Sequence, residues 1–190
     1  MQKRLIHLSI IFFLLCPALV VAQNSPLETQ LKKAIEGKKA EIGIAVIIDG
    51  QDTITVNNDI HYPMMSVFKF HQALALADYM HHQKQPLETR LLIKKSDLKP
   101  DTYSPLRETY PQGGIEMSIA DLLKYTLQQS DNNACDILIR WLGGVKKVAA
   151  YSRKIGLRQT EILVTETEMN RNVRLQYANK APLSEIIRLL

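Results

Sequence analysis

Apolar and polar positions alternate along this chain in a few distinct rhythms. Leu27, Leu31, Ala34 and Ile35 recur at three- and four-residue spacing, which predicts a helix over Leu27–Ile35. "EIGIAVIIDGQDTITVNN" follows, two apolar runs around Asp49-Gly50, and predicts a β-hairpin. The run "PMMSVFKFHQALALADYM", Pro63 to Met80, reads as an apolar helix entered from a loop, and Pro86 ends that region. "TRLLIKKSDL" predicts a short extended or irregular segment, and Lys99 to Gly114, rich in Pro, Gly, Tyr and Asp, reads as a loop. Three helices are predicted next. "IADLLKYTLQQ" is opened by Ser118 and Asp121 as a capping box, "NACDILIRWL" is stopped by Gly143-Gly144, and "VKKVAAYSRKI" is ended by Gly156. From Thr165 to Ala181 the chain is polar, without period, Gly or Pro, and so predicted structureless; stretches of that length are commonly functional. Pro182 starts a last helix, "LSEIIRLL".

Two features resist this pattern. A hairpin is marginal alone, and "IGIAVII" is apolar on both faces, so the strand expects neighbours that these 190 residues do not supply. Lys69 stands one turn after Ser66 in an otherwise apolar helix, where an ammonium is costly unless something uses it.

The N-terminus sets the expected compartment. Lys3 and Arg4 form a positive n-region, Leu8 to Leu15 an apolar h-region too short to span a bilayer, and Val20-Val21-Ala22 a cleavage site. Residues 1–22 therefore read as a secretory signal peptide, with Gln23 as mature start, periplasmic localisation and no stable membrane association after cleavage. Cys16 follows Leu15 rather than a small residue and is expected to be removed with the leader, leaving Cys135 as the one mature thiol. Its apolar helical setting marks it as a buried structural cysteine, and a disulfide framework is excluded.

Residues 23–190 suffice for one core and one domain. The net charge falls from +5 to +3 without Lys3 and Arg4 and is spread along the chain, and no basic-aromatic stripe points to nucleic acid. His71, His81 and His82 cluster without the spacing of a metal site.

Ser66 and Lys69 share one helix face as i and i+3. A serine at a helix N-terminus can attack a carbonyl while a backbone N–H stabilises the oxyanion, and a lysine in low dielectric can serve as its base. S-x-x-K alone is weak, arising by chance about once in a chain of this length. A second copy, Ser96 to Lys99, lies among charges and reads as a solvated loop. Ser130-Asp131-Asn132 is rarer and falls between two predicted helices, where one member can cap and the others point into a cleft. Glu166 and Asn170 sit four apart in the long polar segment.

In this order the motifs resemble the class A serine β-lactamases, whose signature joins S-x-x-K and S-D-N to K-T-G. "DTYSPL", "SDNNACDIL", "LGG" and "RKIG" extend the resemblance along the chain, and Glu166, Met169, Asn170, Gln176 and Tyr177 look like the cephalosporinase branch. The resemblance implies an all-α subdomain joined to an α/β sheet subdomain, the β-lactamase/transpeptidase-like fold, in a protein that is a monomer when complete. It implies Ser66 as nucleophile, Lys69 as its activating partner, Ser130 as proton relay to the ring nitrogen, and Glu166 as activator of the hydrolytic water. Asn132 would bind the drug's side-chain amide, Asn170 would hold the water, and Tyr103 would wall the mouth. No metal or organic cofactor is implied, and the partner is a small-molecule β-lactam. Three departures stand out. Thr167 replaces a common proline, Val164 and Asn179 replace an Arg–Asp salt bridge so that hydrogen bonds must hold the loop, and no K-T-G, K-S-G or R-T-G occurs. The chain is thus expected to be the N-terminal part of a longer enzyme, inactive alone. The rivals are a penicillin-binding carboxypeptidase and a non-enzymatic remnant.

Overall fold

The computed structural model describes residues 25–189, so the leader reading and Cys16 lie outside the described residues. The first helix, α1 (Pro26–Ile35), is capped by Ser25, whose Oγ accepts from Glu28 N at 3.1 Å. Strands β1 (Ile44–Ile48) and β2 (Asp52–Val56) pair antiparallel across the turn at Asp49 and Gly50, both at positive φ. The hairpin is two-stranded, and Ile47 and Ile48 remain exposed on β1.

The next segments differ from the sequence expectation. A two-residue strand β3 (Tyr62–Pro63) pairs with β6 (Lys180–Ala181), tying the entry of the central helix to the end of the polar segment. Ser66 lies in a 3-10 turn, Met65–Val67, and α2 (Phe68–Gln83) begins only afterwards. "TRLLI" forms β4 (Arg90–Ile93), paired with a strand not anticipated, β5 (Ile115–Ser118). The supposed loop of 99–114 contains a short helix, α3 (Pro105–Thr109). The predicted helices follow as α4 (Ile119–Gln128), α5 (Asn132–Leu142) and α6 (Val145–Lys154). The supposedly structureless segment instead folds into α7 (Glu166–Arg171), a 3-10 turn (Val173–Tyr177) and β6. Finally α8 (Leu183–Ile187) packs on the hairpin. There, a Cβ on Gly43 would meet the Tyr62 ring at 2.5 Å and Leu183 at 2.6 Å, so only glycine allows that approach.

The core gathers around α2 and α5, where Phe68, Leu76, Leu122, Ala134 and Leu138 are fully buried. Cys135 is also buried, and burial pushes its thiol well above its ordinary pKa, as suits a structural cysteine. Among the described residues no helix is long and apolar enough to cross a membrane.

One buried polar group on α2 makes folding sensitive to acid. His71 Nδ1 lies 3.2 Å from Ser152 Oγ, which spends its own proton on Val148 O, so the bonding assigns the imidazole proton to Nδ1. Nε2 is buried without a partner. Burial lowers the His71 pKa from 6.5 to about 4, opposed by Glu185. The fold therefore favours neutral imidazole while the unfolded chain takes up a proton below about pH 6.5. Stability falls as pH drops from about 6.5 to about 4, by up to ~3 kcal/mol from this group. Urea midpoints measured across that window should slope more steeply for the wild type than for His71→Leu; equal slopes would refute the assignment.

Candidate active site

Four segments converge on one ammonium. Lys69, in the first turn of α2, is 2 % exposed. Its Nζ lies 3.2 Å from Ser66 Oγ, 2.9 Å from Ser130 O, 3.1 Å from Ser130 Oγ, 2.6 Å from Asn132 Oδ1 and 2.8 Å from Glu166 Oε1. An ammonium has three hydrogens, so five acceptors share them. The Glu166 contact is an ion pair off the line of a good hydrogen bond, leaving Oε1 with charge compensation but no aligned donor. Ser130 Oγ donates to Ser66 Oγ at 3.0 Å, which completes a chain Ser66–Ser130–Lys69.

Local backbone geometry aims these groups. Met65, directly before Ser66, and Ser130 both hold left-handed φ, 47° and 55°, at a cost of order 1 kcal/mol or more each. Ser130 sits where α4 ends and α5 begins, and the three motif residues divide their work. Asp131 caps α5 through Ala134 N at 2.8 Å and is fully buried. It also accepts from Ser104 Oγ at 2.9 and 3.0 Å and from Leu106 N at 2.7 Å, fastening the loop of 99–104 to the start of α5. Ser130 and Asn132, on either side, are thereby free to face Lys69. Arg107 secures the same loop from outside by donating to the carbonyls of Lys99, Pro100 and Thr102.

Glu166 opens α7 and is buried. Burial raises its carboxyl pKa; the Lys69 ammonium opposes this and Asp136 reinforces it. Its backbone is held by Asp136, on α5, which accepts from Glu166 N at 2.9 Å, Thr167 N at 2.8 Å and Thr167 Oγ1 at 2.6 Å. Burial raises the Asp136 pKa against those donors. At the other end of the segment, Asn179 Oδ1 accepts from Leu163 N at 2.8 Å and Val164 N at 3.1 Å, and Nδ2 donates to Val164 O at 2.9 Å. Hydrogen bonds thus close the loop at 164 and 179.

Ser66, Asn132, Glu166 and Asn170 line a cleft of about 170 Å³ with Met65, Met169 and Gln176. Asn170 donates to Asp101 O, and Asn132 Nδ2 donates to Thr102 Oγ1 at 2.7 Å. Tyr103 does not line this narrow cleft: its ring is 58 % exposed beside it, and its carbonyl accepts from Asn132 N at 3.1 Å. On the other side of Ser66 an apolar cleft of about 680 Å³ is lined by Val67, Phe70, Leu127, Ile186 and Leu189 as well as Lys69 and Ser130. Sequence reading missed Asp136 and the bond of Asp131 to Ser104. Asp136 offered one signal, a lone carboxylate in the apolar run "ACDILI".

A profile of the β-lactamase enzyme family matches residues 26–185. A β-lactamase of Bacteroides uniformis is 39% identical over 185 residues, 96% of this chain and 62% of that protein. The β-lactamase VEB-1 of Pseudomonas aeruginosa is 34% identical over 89% of this chain and 56% of its own. Among solved structures, the TLA-1 extended-spectrum β-lactamase superposes with TM-score 0.84 at 41% identity, covering 86% of this chain and 60% of that one. A class A β-lactamase from Bacteroides cellulosilyticus gives 0.81 at 40% identity, over 86% and 59%. The chain thus spans about 60% of the length of these proteins. Their fold is the helix-and-sheet β-lactamase/transpeptidase-like fold expected from the motifs.

The Asp136 arrangement yields a local test. Replacing its carboxylate removes three bonds to the first turn of α7, each worth about 1.5–3 kcal/mol when the acceptor is charged. Asparagine restores only part of them, because whichever way its amide turns, its NH₂ faces a donor, either Glu166 N or the Thr167 pair. In hydrogen-exchange measurements, Asp136→Ala and Asp136→Asn should both lose at least about ten-fold protection over 163–172 while α4 keeps its own. Unchanged protection would show that the loop is held elsewhere.

Proposed function

Because this chain belongs to the β-lactamase enzyme family, we propose that it carries the acylation and deacylation centre of a class A serine β-lactam hydrolase. The observation that carries the reading is the convergence of Ser66, Ser130 and Glu166 on the buried Lys69 ammonium. Ser66 Oγ is the nucleophile and attacks the lactam carbonyl carbon. Its proton leaves through water to Glu166, or to Lys69 once the ammonium has given a proton to Glu166, and Ser130, resupplied from Lys69, passes its proton to the lactam nitrogen as the C–N bond breaks. Glu166, its proton affinity raised by burial, draws a proton from the water that attacks the acyl ester. Water attack releases the ring-opened acid and restores Ser66. Asn170 and Gln176, lining the same cleft, place that water, and Asn132 orients the acyl side chain. Tyr103, exposed beside Asn132, walls the mouth rather than the floor of the site.

Substrates are proposed to include cephalosporins and penicillins. The loop residues Glu166, Met169, Asn170, Gln176 and Tyr177 support this, and the similar TLA-1 enzyme is described as extended-spectrum. Residues 1–22 are proposed to direct export to the periplasm. Deacylation through Glu166 separates this reading from a penicillin-binding carboxypeptidase, since a positioned base contributes roughly 10²–10⁴-fold to such a step.

Intact-mass spectrometry of protein mixed with a penicillin should show one added β-lactam mass on wild type, none on Ser66→Gly, and a roughly 10²–10⁴-fold longer-lived adduct on Glu166→Gln. An adduct of equal lifetime with and without Glu166 would favour the carboxypeptidase, and no adduct on any form would defeat the proposal. Residues 1–190 hold no K-T-G triad. The chain by itself is proposed to turn over a chromogenic cephalosporin at least about 10²-fold below the rate of full-length relatives, the usual cost of one missing oxyanion donor. Hydrolysis at their rate would contradict that inactivity and leave the family reading intact.

A further inference from the structure

The outer side of α6 (Val145–Lys154) carries cations at both of its ends. Lys146, Lys147, Arg153 and Lys154 are exposed, and their spacing of seven residues pairs them on one face, with Arg158 exposed just beyond. Lys154 is held by both oxygens of Asp78 at 2.9 Å, whereas the other four make no ion pair among the described residues. Between α6 and α2 opens a cleft of about 240 Å³ walled by Tyr79, Tyr151, Ala75 and Leu142, with Lys147 and Lys154 among its lining. The tyrosine walls are fixed: Trp141 meets Tyr79 edge-on at 5.6 Å, and Lys154 lies over Tyr151 at 5.9 Å from the ring centre. Ile155 is exposed at the end of the helix.

We propose that this face docks reversibly on an anionic phospholipid surface, with head-group phosphates on the α6 cations and the tyrosine-lined cleft at the boundary with the glycerol and acyl region. Three observations carry it. The charge is one-sided, five cations against Asp78. The apolar element is aromatic with polar tips, a composition suited to the interface between water and hydrocarbon. Four of the cations lie on one ten-residue helix and Arg158 four residues beyond it, a short patch rather than a groove that could track a nucleic-acid backbone. The position is also compatible with the proposed chemistry. Asp78 lies nine residues beyond Lys69 on α2, about 14 Å along the axis, so docking leaves the Ser66 cleft open.

Purified protein is sedimented with vesicles of phosphatidylglycerol in phosphatidylcholine and with vesicles of phosphatidylcholine alone. Binding is expected to the first only, and release is expected in 1 M salt, where the Debye length is about 3 Å. Each unpaired cation near such a surface multiplies partitioning about five-fold. The triple variant Lys146→Glu, Lys147→Glu, Arg153→Glu should therefore bind at least about 100-fold more weakly. The same charge change at Lys33, Lys38 and Lys39, also exposed, should leave binding within about three-fold if distance screens it. If the triple variant melts early, Lys147→Glu alone carries the test, with an expected loss of about 25-fold. Equal losses in the two triple variants, equal binding to both vesicles, or tighter binding of heparin or single-stranded DNA than of the anionic vesicles through these same three residues would each overturn the proposal.

Discussion

The buried ammonium of Lys69 is the constraint on which the rest depends. A cation out of water costs several kcal/mol unless anions or dipoles surround it. Here the compensation comes from the Ser66 turn, the junction of α4 and α5, the first residue of α5 and the first residue of α7. Those pieces are distant in sequence, and none closes the cage alone. Meeting the charge therefore fixes how α2, α5 and α7 are placed. The left-handed Met65 and Ser130 are local strain consistent with that placement.

Three carboxylates surround this cage, and their partners separate their roles. Asp131 is saturated by Ser104 Oγ, Leu106 N and Ala134 N. Asp136 is saturated by Glu166 N, Thr167 N and Thr167 Oγ1. Glu166 faces an ammonium and receives no aligned hydrogen bond at Oε1. The fold has spent the first two on backbone and hydroxyl donors. Burial raises the proton affinity of Asp136 as well as of Glu166, so position separates them: Glu166 lines the cleft beside Ser66 and Asp136 does not. The carboxylate free to exchange a proton is the one beside the serine.

Much of this was legible in the sequence and some was not, for physical reasons. Periodicity found α1, the β1–β2 hairpin, α4, α5 and α6, because each carries its own apolar face or turn signal. Side-chain chemistry identified Ser66, Lys69, Ser130, Asn132 and Glu166, which the structure brings together. The misses share a cause. α3 and α7 are five and six residues long, too short for a periodic signal, and are held by Asp131 and Asp136 from another helix. β3, β5 and β6 are defined by partners 22 to 119 residues away, which a local window does not see.

The loop departures have a consistent explanation at the level of charge. A salt bridge across 164 and 179 would need two ions desolvated together, since Val164 is 8 % and Asn179 0 % exposed. An amide does the same closure with neutral groups, accepting from two N–H groups and donating to one carbonyl, all within its capacity. The opposite end of the loop then needs its own anchor, because α7 is one turn and a half and its N-terminal N–H groups have no helical partner. Thr165 and Glu168 form a capping box there, and Asp136 takes the N–H groups of Glu166 and Thr167. With those donors occupied, the Glu166 side chain has no cap to serve at its own helix end. It is this division of labour at a single helix N-terminus, among Asp136, Glu168 and Glu166, that leaves one acidic side chain free to turn inward toward Lys69.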